Sequence, residues 1–175
     1  FFFIKPRDAI VDSREGHPYP SGTEALRYEG ELVVALKSGG TDIDPADALS
    51  HIYAYGVGLD MTRQDLQQEA QRLSRPWAIS KSFDKSAPCG PVETNGHAVT
   101  ARIWLSVNGE VKQDSDLSFQ IWSVSEGIAI LSRHYELTAG DIIMTGTPEG
   151  IGLVEPGDVI RAGIDGLGEI EVDIT

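Results

Sequence analysis

Tyr28-Glu29-Gly30-Glu31-Leu32-Val33-Val34-Ala35-Leu36 decides how this chain reads. The run has strand composition, and period-two alternation sets Glu29 and Glu31 on one face with Val33, against Leu32, Val34 and Leu36 on the other. The strand is apolar except where it is doubly anionic. Two like charges at that spacing on a partly buried face repel each other and lose hydration unless a positive group lies between them. Further along, His51 to Leu59 (HIYAYGVGL) reads as a buried strand whose glycines permit close backbone approach, and it ends on Asp60. Three acids at strand positions inside apolar runs point to a bound cation. The alternative is a solvent-facing edge strand for the glutamates and a helix cap for Asp60.

Carboxylate-only ligation selects a hard cation, and three monodentate acids leave octahedral positions open for water and substrate, which suits Mg2+ or Mn2+. Zinc is poorly served, because His17, His51, His97 and His134 show no metal-ligand spacing and read as surface or hydrogen-bonded residues. Lys81, in Trp77-Ala78-Ile79-Ser80-Lys81-Ser82-Phe83-Asp84, either pairs locally with Asp84 or reaches into the acidic site; the local pair is the simpler reading. The run from Gly140 to Gly152 (GDIIMTGTPEGIG) is a strand emptying into a Gly-rich loop. Around Gly146 it offers backbone N–H groups and the Thr147 hydroxyl to an anion. No Gly-Lys-Ser/Thr follows, which argues against a nucleotide site.

Lys+Arg 14 against Asp+Glu 27 gives a net charge of −13, and no basic cluster interrupts the acidity, so nucleic acid and anionic membranes are disfavoured as partners. A small molecule or a cation is favoured instead. With 175 residues and 41% apolar content, one domain over 1–175 buries roughly 70% of its unfolded surface. Cys89 stands alone, which excludes an intrachain disulfide and fits a reducing cytoplasm. No apolar run approaches the roughly 20 residues of a membrane-spanning helix. Residues 1–5 read as a strand, and a chain opening on apolar residues in strand order is expected to lack its natural start.

The class is α+β with strands dominant: a β-rich roll of mixed sheets with a few flanking short helices. Asn108-Gly109 marks a hairpin between Trp104–Val107 and Glu110–Lys112, and Asp158–Ile164 pairs with Gly168–Ile174 around Asp165-Gly166. A short helix is expected from Asp44-Pro45 through Leu49. Thr62 and Asp65 form a capping-box pattern ahead of a helix whose face carries Leu66, Ala70 and Leu73, stopped at Arg75-Pro76. A second helix is expected from about Ser118 to Arg133, with Ile121, Val124, Ile128 and Leu131 as its apolar stripe.

On these residues the chain resembles the fumarylacetoacetate hydrolase family, in particular its acylpyruvate hydrolase branch, fumarylpyruvate hydrolases among them. The motifs are FIKP (Phe3–Pro6), YEGEL (Tyr28–Leu32), GLDMT (Gly58–Thr62), Asp65-Leu66-Gln67, PWAISKSFD (Pro76–Asp84), VNGE (Val107–Glu110) and the Gly140–Gly152 run. The resemblance implies that Glu29, Glu31 and Asp60 are the Mg2+ ligands, that Lys81 lies beside the bound substrate, and that Thr147, with Gly146, helps hold its carboxylate end. It also implies a homodimer. Two departures stand out. Related sequences carry Arg four residues after the metal Asp, where this chain has Gln64, which can hydrogen-bond but cannot neutralise an anion. Related sequences also place a water-activating His and Glu on a lid ahead of FIKP, so the general base is expected to lie upstream of residue 1.

The implied activity is metal-dependent hydrolysis of the C–C bond of an acylpyruvate, a 2,4-dioxo acid, to pyruvate and a carboxylic acid. Decarboxylation of oxaloacetate, or isomerisation of a 2-oxo acid, uses the same chelated enolate. A competing class is an inactive acidic binding domain whose glutamates face solvent.

Overall fold

The computed structural model describes residues 2–94 and 100–175, so His97 lies outside the described residues. The strands are β1 (Ile10–Asp12), β2 (Leu26–Tyr28), β3 (Gly30–Leu36), β4 (Ile52–Leu59), β5 (Thr62–Arg63), β6 (Ala87–Glu93), β7 (Arg102–Val107), β8 (Glu110–Asp116), β9 (Ile142–Met144), β10 (Gly152–Val154), β11 (Val159–Ile164) and β12 (Gly168–Asp173). The α-helices are α1 (Gln64–Arg72), α2 (Ala78–Lys81) and α3 (Val124–Ser132). Three sheets result, with strand orders β1-β6-β4-β3-β9, β10-β2-β5 and β12-β11-β7-β8. All pairs are antiparallel except β1 with β6. This is the mixed, strand-dominated α+β class expected from the sequence.

The strand that opened the reading lies inside its sheet, with β4 on one side (Gly30 opposite Leu59) and β9 on the other (Val33 opposite Met144). Both of its faces are covered, and Leu32, Val33 and Val34 are all buried. A solvent-facing edge strand is thereby excluded. Leu32, Val34, Val57 and Leu59 share one apolar cluster with Leu105, Ile160, Ile164 and Val172 from the four-stranded sheet. Each fully buried Leu or Ile contributes about 2 kcal/mol relative to exposure.

Both hairpins form as expected, β7–β8 about Asn108-Gly109 and β11–β12 about Asp165-Gly166. Four local expectations fail, those at residues 2–5 and at Asp65 through contacts from remote sequence. Residues 2–5 form no strand; Lys5 is instead pulled inward by polar groups from three segments. The Asp44–Leu49 segment is a turn followed by one 3-10 turn over Ala48–His51. Asp65 does not cap α1, because its carboxylate accepts from the Thr23 hydroxyl and the Glu24 N–H, while Thr62 belongs to β5. The inward residues of α1 are accordingly Gln67 and Ala70, and Leu73 is exposed. The second helix begins only at Val124, behind a Ser123/Glu126 capping box, which leaves Ile121 94% exposed.

His17 is fully buried beneath the C-terminal segment, its backbone N–H donating to the Asp173 carbonyl at 2.8 Å. Its Nδ1 lies 3.0 Å from the Lys85 carbonyl and therefore carries the ring proton, so the buried Nε2 has neither proton nor partner. Burial pushes the imidazole from 6.5 down to about 4. A histidine depressed in this way contributes its stability above pH 6.5 and loses it as pH falls towards 4, where the unfolded chain takes up a proton that the native state refuses. The full effect is about 3 kcal/mol. Chemical denaturation between pH 7 and pH 4.5 is expected to show a steeper acid loss for the parent than for His17→Gln; parallel losses would refute it.

Candidate metal centre and substrate cavity

Strand register brings the acids together. Glu29 and Glu31 share a face of one chain segment, and the ladder that sets Gly30 opposite Leu59 continues as the Asp60 N–H donates to the Glu29 carbonyl at 2.9 Å. One oxygen from each of Glu29, Glu31 and Asp60 lies within 4.8 Å of the others, and the three residues are 7%, 4% and 2% exposed. They converge indoors, as the spacing indicated.

What neutralises them was only partly legible. Lys81 takes the second of its two expected courses: from the last turn of α2 its Nζ donates to Glu29 Oε2 at 2.9 Å, Asp60 Oδ2 at 2.7 Å and the Thr62 hydroxyl at 2.6 Å. All three ammonium hydrogens are thus engaged, and Asp84 is not its partner. Arg27 pairs with Glu29 Oε1 and donates to Gln67 Oε1 at 2.8 Å. Lys5 stands 2.8 Å from Asp60 Oδ1, donates to the Ser86 hydroxyl at 2.9 Å and binds the Lys81 carbonyl. Burial lowers the Lys5 ammonium below its ordinary value, and the Asp60 charge pulls the other way.

Three cations, Lys81 buried and Lys5 and Arg27 half-buried, therefore balance three buried acids. Sequence reasoning passed over Lys5 and Arg27, although signals for both exist: a lysine set between Ile4 and Pro6, and an arginine two residues before Glu29 on the same strand face. Glu31 is the exception. Among the described residues no cation pairs with it, and its Oε2 accepts the Gly146 N–H at 2.7 Å. Burial first, and then the neighbouring Asp60 charge, raise its carboxyl well above the usual carboxylate range. Asp60 Oδ1 is held by the Lys5 ammonium as an ion pair. An all-oxygen donor set with one acid that no cation pairs among the described residues fits a hard divalent ion.

The loop after β9 grips the acid strand. Thr145 N–H and hydroxyl both donate to the Leu32 carbonyl, Gly146 N–H to Glu31, and the Thr147 hydroxyl to the Gly30 carbonyl at 2.9 Å. Gly146 sits at φ +96°, a left-handed conformation that favours glycine. The Gly146 and Thr147 donors that the sequence offered to an anion are thus engaged inside the protein.

A cavity of about 1090 Å³ opens beside the acids, walled by Lys5, Glu31, Asp60, Gly146 and Thr147 and by apolar residues such as Phe2, Trp122 and Ile128. Lys81 and Gln64 do not line it. The neighbouring Arg63 guanidinium lies 4.4 Å over the Phe83 ring. Cys89 faces the cavity with its thiol pushed up to about 11 by burial, so it stays protonated and inert at neutral pH.

Residues 1–175 match the family described as fumarylacetoacetate (FAA) hydrolase, C-terminal. The chain is 40% identical over 176 residues to a fumarylpyruvate hydrolase from Ralstonia sp., covering 99% of this chain and 92% of the relative. It is 38% identical over 170 residues to the mitochondrial oxaloacetate tautomerase FAHD1 of Mus musculus, covering 94% and 76%. The crystal structure of fumarylpyruvate hydrolase from Pseudomonas aeruginosa in complex with Mn2+ and pyruvate superposes with a TM-score of 0.96 at 47% identity, covering all of this chain and 78% of that one.

Proposed function

The chain belongs to the fumarylacetoacetate hydrolase family, and from that premise we propose that it cleaves the C–C bond of an acylpyruvate, such as fumarylpyruvate, to pyruvate and a carboxylic acid. The observation that carries the reading is the buried Glu29, Glu31 and Asp60 trio, of which Glu31 and Asp60 open onto the cavity. Those acids would hold a divalent ion, with Mg2+ as the cellular metal and Mn2+ able to stand in. The Pseudomonas enzyme, described with Mn2+ and pyruvate, supports both the metal and the product. When bound, such an ion supplies an electron sink for a chelated 2-oxo acid.

The site's own charges explain the choice of ligand. Three acids and three cations sum to zero, so a divalent ion leaves the site at about +2, complementary to a 2-oxo acid carrying one carboxylate and developing a second charge as its enolate. In the hydrolysis the water oxygen joins the distal carbonyl carbon, the C–C electron pair passes to the pyruvate fragment, and a proton completes the product. Lys5, on the cavity wall, holds a positive charge near that fragment, and Lys81 acts from behind by holding Glu29 and Asp60. The exposed Ile4, Phe119 and Ile121 around the cavity support assembly as a homodimer. The lone cysteine fits a cytoplasmic location.

Oxaloacetate decarboxylation or tautomerisation is the second reading. It is favoured by one observation: the 38% identity to the mouse oxaloacetate tautomerase FAHD1. Pyruvate release with Mn2+ from acetylpyruvate, fumarylpyruvate and oxaloacetate separates the readings. Equimolar pyruvate and carboxylic acid from the acylpyruvates is expected. Faster CO2 release from oxaloacetate would favour the second reading, and no product from any substrate, with no Mn2+-dependent rise in melting temperature, would mark an inactive binding domain.

A further inference from the structure

Gln113 is 1% exposed on β8, while Glu110, Val111, Lys112 and Asp114 around it face solvent. The register between β7 and β8 shifts at Leu105/Ser106, and this bulge re-aims Gln113 inward. Its Oε1 accepts the Gly30 N–H at 3.0 Å, while its Nε2 donates to the Thr147 hydroxyl at 2.8 Å and the Pro148 carbonyl at 2.9 Å. These contacts fix which end of the amide is which, because an amino group turned towards Gly30 would meet another N–H. Gly30 has no side chain in the way: a Cβ there would stand 3.2 Å from both Gln113 Oε1 and Leu105 Cδ1. Gly30 lies between Glu29 and Glu31, and its carbonyl accepts the hydroxyl of the same Thr147 that Gln113 holds. The amide thus closes a ring through Gly30 and Thr147. A parallel contact lies alongside, where Gln120 donates to the Thr145 hydroxyl at 2.7 Å and Thr145 to the Leu32 carbonyl. Glu31 is bracketed by the two.

We propose that Gln113 is a positioning residue for the metal centre: by clamping Gly30 to the Thr145–Thr147 loop it sets the direction of Glu31 and holds the Gly146 N–H on its carboxylate. This rests on the reading of Glu29, Glu31 and Asp60 as ligands. Loss of an amide that orients a ligand typically weakens metal affinity roughly 10- to 100-fold. The effect travels through Thr147, so removing that hydroxyl should leave little further for a Gln113 substitution to remove.

Mn2+ titration by calorimetry on the full chain tests this without reference to turnover. Gln113→Leu and Thr147→Val are each expected to weaken Mn2+ binding, the first by roughly tenfold or more, and the double variant to bind no more weakly than Gln113→Leu. A cooperatively folded Gln113→Leu that binds Mn2+ within a factor of about two of the parent, even if it melts earlier, would show a merely structural role and overturn the proposal. So would single losses that multiply in the double variant. If Gln113→Leu does not fold, Gln113→Glu decides by the same criterion, since it keeps the acceptor towards Gly30 and the side-chain shape but removes both donors to the loop. A parent chain that binds no Mn2+ would instead sink the metal reading itself.

Discussion

Glu31→Gln is expected to abolish divalent-ion binding while the metal-free protein melts at or above the parent temperature. The two effects move in opposite directions because Glu31 has two distinct relations to its surroundings. In the metal-free fold it is a buried acid with no cation partner among the described residues, held by one N–H from Gly146 and repelled by Asp60. The amide keeps the shape and the acceptor towards Gly146 and removes the repulsion, so the fold loses nothing. Towards a hard cation, however, the substitution replaces an anionic ligand with a neutral one at the position that lacks other compensation. A parent protein at a hundredfold excess of Mn2+ over its dissociation constant gains about 2.7 kcal/mol of stability; the variant should gain none. Pyruvate release should fall to about a hundredth of the parent's or less. Melting curves with and without Mn2+ read the first effect directly, and a variant that keeps the Mn2+-dependent rise would remove Glu31 from the centre.

Lys81→Met is expected to destabilise the metal-free protein by about 3–5 kcal/mol, the usual consequence of stripping one partner from a buried ion pair. Methionine fills a similar volume, so the loss is electrostatic: Glu29 and Asp60 stay buried with one ammonium fewer between them, and the Thr62 hydroxyl loses its donor. Saturating Mn2+ should restore more stability to this variant than it adds to the parent, because a divalent ion relieves charge that Lys81 otherwise compensates. Adding Asp60→Asn should recover part of the loss without metal, by removing one of the two stranded charges. Were Lys81 engaged with substrate alone, its removal would lower turnover and leave the metal-free melting temperature where it was. Denaturant unfolding without metal discriminates the two cases.

The failures of the sequence reading share a form. Thr62 and Asp65 have the spacing of a helix start, yet Thr62 is taken by β5 and Asp65 by Thr23, a residue 42 positions away. Ile121 has the spacing of a core position, but the capping box at Ser123 starts the helix after it. Lys81 had a local acid to pair with and found distant ones, since α2 points its last turn into the space between β3 and the end of β4. For Asp65 and Lys81 local propensity proposed a partner, and a contact from remote sequence supplied a better one.

Sequence by itself determined the strand-rich class, the two hairpins, the acidic character that disfavours nucleic acid, and the identity of three acids with strand-compatible spacing. All of these rest on side-chain periodicity and turn chemistry, which act over a few residues. Tertiary structure alone decided that Lys5 and Lys81 would help balance those acids, that Glu31 would be left without a cation among the described residues, and that Gln113 would turn inward from an exposed strand. Lys81 meets Glu29 across 52 residues and Gln113 meets Gly30 across 83. Sheet register sets such meetings, and a one-residue slip would send every side chain to the opposite face, so no local pattern encodes them.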